Sequence, residues 1–425
     1  MPRKDLIKCH ECDLLQVNPT LPTGGAALCN RCGATLHRDR PDSLNRTLAL
    51  TLAGIVLFIV ANSFPFLSFQ MQGQITETTL FTGIRDLYLG GMWELAAVVF
   101  FTSILAPGIQ LVLLLVVLLP LALMKRLPPG FGRLFRWVKT LTPWGMMDVF
   151  MLGILVSVVK LSDMATIVPG TSLFAFVVLI LVLAAAQASL DPDIVWGRIP
   201  VSDAIWQSIR SSGPLLSCHI CDLTLAQSAA DHHRGHHYCP RCGEILHRRK
   251  PRSIQRTWAL VIAAAIFYVP ANLFPIMSVT SLGNTQSDTI LSGVIFLLHH
   301  GMWPLALIVF VASVFVPLVK LLILIYLLVS VQMRSTWNPR DRTRLYRITE
   351  AIGRWSMVDI YVVTILVALV RLGNLASIQA EAGAVFFGAV VVITMFAAMS
   401  FDPRLIWDAM EQGHDRDGRQ LGTAN

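Results

Sequence analysis

Residues Cys29 to Arg38 read CNRCGATLHR, and residues Cys239 to Arg248 read CPRCGEILHR. The second stretch repeats the first about 210 residues later. Each closes a four-cysteine set: Cys9, Cys12, Cys29 and Cys32, then Cys218, Cys221, Cys239 and Cys242, which together use all 8 cysteines of the chain. Further along, ANSFPF at Ala61 recurs as ANLFPI at Ala271, and GMW at Gly91 recurs at Gly301. WGMMD at Trp144 recurs as WSMVD at Trp355, and Asp191-Pro192 with Trp196 recurs as Asp402-Pro403 with Trp407. So long a period lies outside the solenoid range and indicates duplication with fusion.

Hydrophobic residues make up 54% of the 425 residues and charged ones only 14%, which is more apolar surface than a soluble core can bury. Eight stretches approach the ~20 residues that cross a bilayer as helix. They lie near 47–69, 92–124, 144–162, 171–190, 257–278, 302–331, 355–372 and 383–401. The fold class expected is therefore an all-α polytopic membrane protein, with two parallel repeats of four transmembrane helices, each preceded by a small cytoplasmic zinc ribbon. The chain divides into a first ribbon (1–46), a first repeat (47–190), a linker with the second ribbon (191–256), a second repeat (257–402) and a cytoplasmic tail (403–425).

Basic residues set the orientation, because loops rich in Lys and Arg resist translocation. Every Lys and Arg falls on one side of the predicted membrane except Arg85, in an outer loop, and Lys160, Lys320 and Arg371, inside spans. The opening MPRKDLIKCHEC has no apolar h-region, so the first cysteine cluster is expected to stay on the synthesis side. Both termini and both ribbons are then cytoplasmic. Four spans per half make the halves parallel, with a pseudo-two-fold axis along the membrane normal. The net charge of +8 serves orientation and leaflet attraction and does not indicate nucleic acid.

Two CxxC pairs separated by sixteen or seventeen residues match a zinc ribbon, in which four thiolates hold one structural zinc. Gly33 and Gly243 follow the last cysteine of each set, where the knuckle turn favours positive φ. Disulfides fit a cytoplasmic site poorly, and a thioredoxin-like redox pair would need a βαβ scaffold that these Pro- and Gly-rich surroundings do not suggest. His37, His247, His232, His233, His236 and His237 read as loop residues, with a ligand swap into a ribbon left open.

At membrane depth, Lys320 lies inside a stretch without other charges from Met302 to Val331, and an unpaired ammonium there is costly. Asp359 is its expected counter-ion, and Ser313 a further partner. The pairs Asp148/Lys160 and Asp359/Arg371 each sit ~18 Å apart along one helix, so neither pair can close on itself. Lys160 and Arg371 are expected to snorkel. Asp148, Thr394 and Asn272 are weaker candidates. The position matching Lys320 in the first half is Gln110, whereas Asp148 and Asp359 are both acidic. The segments RLFRW at Arg133 and RLYRI at Arg344 read as interfacial helices with arginines toward anionic headgroups. Pro107 and Pro317 are expected to kink the second span of each half.

No phosphate loop, dinucleotide fingerprint, nucleophile elbow or HExxH is present, which gives no support to an enzyme. The doubled ribbon-plus-four-helix plan, with ANxFP, GMW and W(G/S)MxD in both halves, resembles the paraquat-inducible protein A family, and within it the LetA branch. That resemblance covers nearly the whole chain. It implies a bacterial inner-membrane protein that works with a periplasmic MCE-domain protein and moves phospholipid across the envelope. It also implies an intramembrane polar network at Ser313, Lys320, Asp359 and Thr394. A non-transporting ribbon scaffold or sensor and a membrane redox enzyme are the competing classes.

Overall fold

The computed structural model describes residues 6–410 apart from 18, 20, 72–73, 125–126, 129, 162–165, 203–204, 206–214, 234–235, 282–283, 300, 354 and 370–375. The first half opens with strands β1 (Leu6–Lys8), β2 (Leu15–Val17), β3 (Ala26–Leu28) and β4 (Thr35–Arg38), then helix α1 (Ser43–Ser63) and the hairpin β5 (Leu67–Met71) and β6 (Gln74–Thr78). Helices α2 (Leu80–Leu89), α3 (Trp93–Phe100), α4 (Ala106–Leu123), α5 (Phe131–Leu141) and α6 (Met147–Leu161) follow, then β7 (Thr166–Pro169), α7 (Thr171–Ser189) and the short α8 (Pro192–Gly197).

The same order then runs again. The second ribbon holds β8 (Leu215–Ser217), β9 (Thr224–Ala226), β10 (Asp231–His233), β11 (His236–Tyr238) and β12 (Ile245–Leu246). Next come α9 (Ser253–Leu273), β13 (Met277–Ser281), β14 (Asn284–Asp288), α10 (Ile290–His299) and α11 (Trp303–Phe310). The half ends with α12 (Val316–Gln332), α13 (Pro339–Ile352), α14 (Val358–Leu369), β15 (Ala376–Ala380) and α15 (Ala382–Ser400).

Among the described residues, 8 helical segments are long and apolar enough to cross a membrane. Helix is the form available there, because hydrocarbon offers no partner to backbone groups. Val56, Ile59, Val112, Leu181, Ile266 and Leu322 are exposed on these helices and form the outward apolar surface that lipid would cover. Within each half, three spans pack together: α1 against α7 and α4, and α9 against α15 and α12. The third span leaves its own group. Helix α6 lies along α14, so the third helices of the two halves form the central seam, with α2 also packed on α14.

Close backbone approach makes that seam. A Cβ added at Gly153 would lie 2.8 Å from the Cβ of Tyr361. Only the missing side chain lets α6 and α14 approach so closely. Phe150 then meets the Tyr361 ring edge-on at 5.2 Å, and the Tyr361 hydroxyl donates to Thr102 Oγ1 at 2.8 Å.

Thr102 itself sits in a π turn. Such turns span Phe101–Leu105 and Val311–Phe315, just before Pro107 and Pro317. Proline has no N–H to give and crowds the preceding turn, so the helix widens locally. The carbonyls loosened there find other donors: Met146 N to Thr102 O at 3.4 Å, and the Tyr268 hydroxyl to Val314 O at 3.2 Å. The expected effect of these prolines thus takes the form of a widened turn in the same place in each half.

On the face opposite the ribbons, segments that look like short loops in sequence pair into two sheets. Their order is β6-β5-β7 and β14-β13-β15, all antiparallel. In both, the third strand arrives about ninety residues after the hairpin, so it fastens the end of the third span to the end of the first. The GMW repeats are the turns that follow. Gly91 (φ 83°) and Gly301 (φ 74°) occupy the left-handed region between α2 and α3 and between α10 and α11, where a side chain would be strained.

The ribbons cross over. Cys9, Cys12, Cys29 and Cys32 of the first ribbon pack with Leu321, Tyr346, Phe401 and Trp407 of the second half. Cys218, Cys221, Cys239 and Cys242 of the second ribbon pack with Phe131, Phe135 and Trp196 of the first. A Cβ at Gly132 would overlap the Arg241 carbonyl, so glycine there admits the second ribbon to the start of α5.

Candidate functional site

The eight cysteines converge as two buried tetrads, each with its four sulfurs within 4.8 Å of one another. Cys9 and Cys32 lie 3.5 Å apart, as do Cys12 and Cys29; the second tetrad has 3.4 Å and 3.5 Å. A disulfide requires about 2.05 Å. A tetrahedral ion with ~2.3 Å bonds to thiolates requires sulfurs ~3.8 Å apart, which fits. Four matching turns present them. In each, the N–H of the residue after the second cysteine of a pair returns to the first cysteine's carbonyl: Asp13 to Cys9, Gly33 to Cys29, Asp222 to Cys218 and Gly243 to Cys239. All four turn residues have positive φ, as expected for Gly33 (71°) and Gly243 (70°). The two aspartates do the same without glycine's freedom, a tolerance Asp shares with Asn.

The helices α5 and α13 hold these tetrads from outside. Arg136 donates to Gly243 O at 3.0 Å and pairs with Glu244 at 3.2 Å. Arg347 donates to both carboxylate oxygens of Glu11 and to Cys32 O. Burial alone would raise the Glu11 carboxyl, but hydrogen bonds with His10 and Arg347 hold it below its ordinary value. The expectation of arginines turned to headgroups is therefore corrected for Arg136 and Arg347, which face the exchanged ribbons. Arg344 remains exposed beside Asp341. Sequence reasoning missed the clamp although Arg136 and Arg347 hold the same place in RLFRW and RLYRI.

Lys320 is 3% exposed, and its Nζ has no hydrogen-bond partner among the described residues. It does not meet Asp359. Lys320 opens on a cavity of about 450 Å³ toward the ribbon face, lined from the first half by Thr142, Pro143 and Gln187 and from the second by Arg347, Gly353 and Met395. Asp359, 9% exposed, opens on a separate cavity of about 70 Å³ toward the sheet face. In place of the expected ion pair, Lys320 lies beside a helix end without a hydrogen bond to it among the described residues. Nζ lies 2.8 Å from where a Gly353 Cβ would be, at the C-terminus of α13, where Thr349 and Glu350 carbonyls converge on the same point. The negative end of a helix dipole favours a cation there.

The other candidates separate likewise. Ser313 Oγ donates to Val309 O at 2.5 Å and Thr394 Oγ1 to Val391 O at 2.9 Å, each within its own helix. Asn272 Nδ2 donates to Tyr268 O at 2.8 Å. Asp148 is exposed, unlike Asp359, so the matched aspartates sit in different surroundings. Gln110, at the Lys320 position, is buried. The Lys160 side chain and Arg371 lie outside the described residues. Five of the histidines read as loop residues lie in strands: His232 and His233 in β10, His236 and His237 in β11, and His37 in β4 with its Nδ1 on Asp193 Oδ2.

Comparison with known proteins matches the two halves separately to one family model, described as Paraquat-inducible protein A, over residues 44–200 and 254–411. The chain is 33% identical to Intermembrane transport protein PqiA of Escherichia coli (strain K12) over 416 residues, covering 97% of each. It is 31% identical to Lipophilic envelope-spanning tunnel protein A of the same strain, covering 98% of this chain and 94% of that one. A Probable intermembrane transport protein of Haemophilus influenzae (strain ATCC 51907 / DSM 11121 / KW20 / Rd) is 30% identical, covering 96% of both. No solved structure matches.

Proposed function

Because the chain belongs to the paraquat-inducible protein A family, we propose that it is the inner-membrane component of an envelope lipid transport system, passing phospholipid between that membrane and a periplasmic MCE-domain protein. Its ribbons and termini face the cytoplasm, and the paired sheets face the partner. Each ribbon holds one structural zinc through its four thiolates. A closed four-thiolate site leaves no position for substrate, so the metal folds the ribbon and takes no part in transport.

One observation carries the transport reading. The cavity beside Asp359 is walled by Val156, Val309, Val362, Val363 and Leu366 and runs to Ile276, Met277 and Asp288–Ile290, where β13, β14 and α10 meet. An apolar space thus leads from a carboxylate at membrane depth to the sheet face. At about 70 Å³ it has room for a few waters and no acyl chain, so lipid enters when α10 and α11 part from α14. Lys320, Asp359, Ser313 and Thr394 govern that opening or meet the headgroup. Relatives named as transport proteins support the same direction.

The test is purification of the tagged protein in mild detergent, with mass spectrometry of bound lipids and co-purifying proteins. Retained phospholipid together with an MCE-domain partner supports the reading. A preparation holding neither, from cells in which the protein is functional, overturns it in favour of a ribbon scaffold.

A further inference from the structure

Each half ends its fourth span in the same frame. Asp191 N donates to the Ser43 hydroxyl at 2.7 Å, and Asp402 N to the Ser253 hydroxyl at 3.0 Å. Arg40 reaches the Gln187 and Leu190 carbonyls as Lys250 reaches those of Met399 and Phe401. Asp193 N donates to Asp191 Oδ1 at 2.9 Å, and Arg404 N to Asp402 Oδ1 at 3.1 Å. With so much held constant, the charge set beside the buried aspartate is informative, because it is opposite in the two halves: Asp193 in the first and Arg404 in the second.

In the second half, Arg404 neutralises Asp402 through two bonds of 2.9 Å each. In the first half that position is Asp193, so a cation has been exchanged for a second carboxylate beside a buried one. Asp191 is only 3% exposed. Placing two carboxylates together there is costly unless a positive charge joins them. His37, from β4 of the first ribbon, completes the group, and its ring nitrogen and the two carboxylates offer ligand atoms all within 4.8 Å of one another. The matching His247 turns elsewhere, with its ring 6.4 Å from that of His236.

We propose that His37, Asp191 and Asp193 bind a third, divalent transition-metal cation at the junction of the first ribbon and the end of the first half. One imidazole and two carboxylates form a nitrogen and oxygen donor set suited to zinc, iron, cobalt or nickel. Calcium and magnesium are disfavoured, since they take oxygen ligands alone. Asp193 is exposed, so the ion has a route in and water can complete its coordination. Because the first ribbon is docked on the second half, an ion here joins both halves through one strand. Unlike the thiolate tetrads, this site is open and exchangeable, and so responsive to metal supply.

The test uses the full chain in detergent with its ribbons already metal-loaded, titrated with Co²⁺. Wild type takes up one ion more per chain than Asp193→Arg, which installs the second half's own solution. The added ion shows the weak absorption of a nitrogen and oxygen site, without thiolate-to-cobalt charge transfer. Ribbon metal content, equal in the two proteins, reports that both are folded; if Asp193→Arg does not fold, His37→Gln carries the comparison. Equal uptake by wild type and the folded variant, or an added ion seen only through thiolate bands, overturns the proposal and leaves His37 and Asp193 as an ion pair.

Discussion

Arg347, on the amphipathic helix of the second half, forks onto Glu11 of the first ribbon, with Nε 2.8 Å from Oε1 and 2.6 Å from Oε2. Its NH2 reaches past the carboxylate to Cys32 O at 3.1 Å. One side chain therefore ties a metal knuckle to the helix that precedes the central seam. Arg136 does the equivalent for the second ribbon at Gly243. Exchange of ribbons between halves makes each metal site a link between repeats.

Arg347→Ala removes this link and leaves Glu11 as a mostly buried carboxylate without its main cation. The side chain of Arg347 is 30% exposed, so water softens the loss, which we place at about 1–3 kcal/mol. The expected result is faster zinc loss to a chelator from the first ribbon alone, and a lower melting temperature. Arg344→Ala, changing an exposed arginine three residues away, serves as the control. Equal zinc-loss rates in the two variants would refute the clamp.

Metal removal should act in the same divided manner. Zinc binding to small ribbons contributes on the order of 10 kcal/mol to their folding, and the two tetrads share no ligand. Cys239→Ser is expected to lose the metal of one ribbon and keep that of the other by elemental analysis. Protease sites then open in the second ribbon and around Phe135 and Trp196 of the first half, against which that ribbon packs. Cleavage near Tyr346 and Trp407 instead would mean that the ribbons are not exchanged.

Much of this was legible in the sequence. Cysteine spacing predicts the tetrads, and apolar run length predicts the spans, because both are local patterns. Ribbon exchange has no local signal: nothing within Cys9 to Cys32 says whether Phe135 or Tyr346 will cover it. The sheets hide for a similar reason, since β5 and β6 are segments of only five residues, mixed or polar in character, whose third partner lies about ninety residues on. Charge-pair reasoning sought a side chain for Lys320 and missed the end of α13, because helix termini act as charges only once their direction is known.

Lys320→Met tests whether that buried ammonium exists for function. It has no hydrogen-bond partner among the described residues, so an apolar side chain of similar length should leave stability unchanged or raise it. Transport should nevertheless be lost. Complementation of an envelope-permeability defect, with thermal unfolding in parallel, separates the two effects. A variant that transports normally would reduce Lys320 to a structural residue.

Gly293 offers the most direct test of the apolar passage. It lines the cavity beside Asp359, and a Cβ built there meets no atom within 4 Å. The first side-chain carbon of Gly293→Leu therefore enters space that is open in this state, and the rest of the side chain takes up room in the cavity. Replacing glycine within α10 also removes a helix-weakening residue worth about 1 kcal/mol. The protein should thus be as stable as wild type or slightly more so. If lipid enters by parting α10 and α11 from α14, a leucine side chain wedged toward Val362 and Leu366 blocks it. Bound phospholipid in the purified protein should fall several-fold, while ribbon zinc and melting temperature hold. Unchanged lipid content in a folded Gly293→Leu protein would mean that lipid takes another path, with the larger cavity under Lys320 the next to fill.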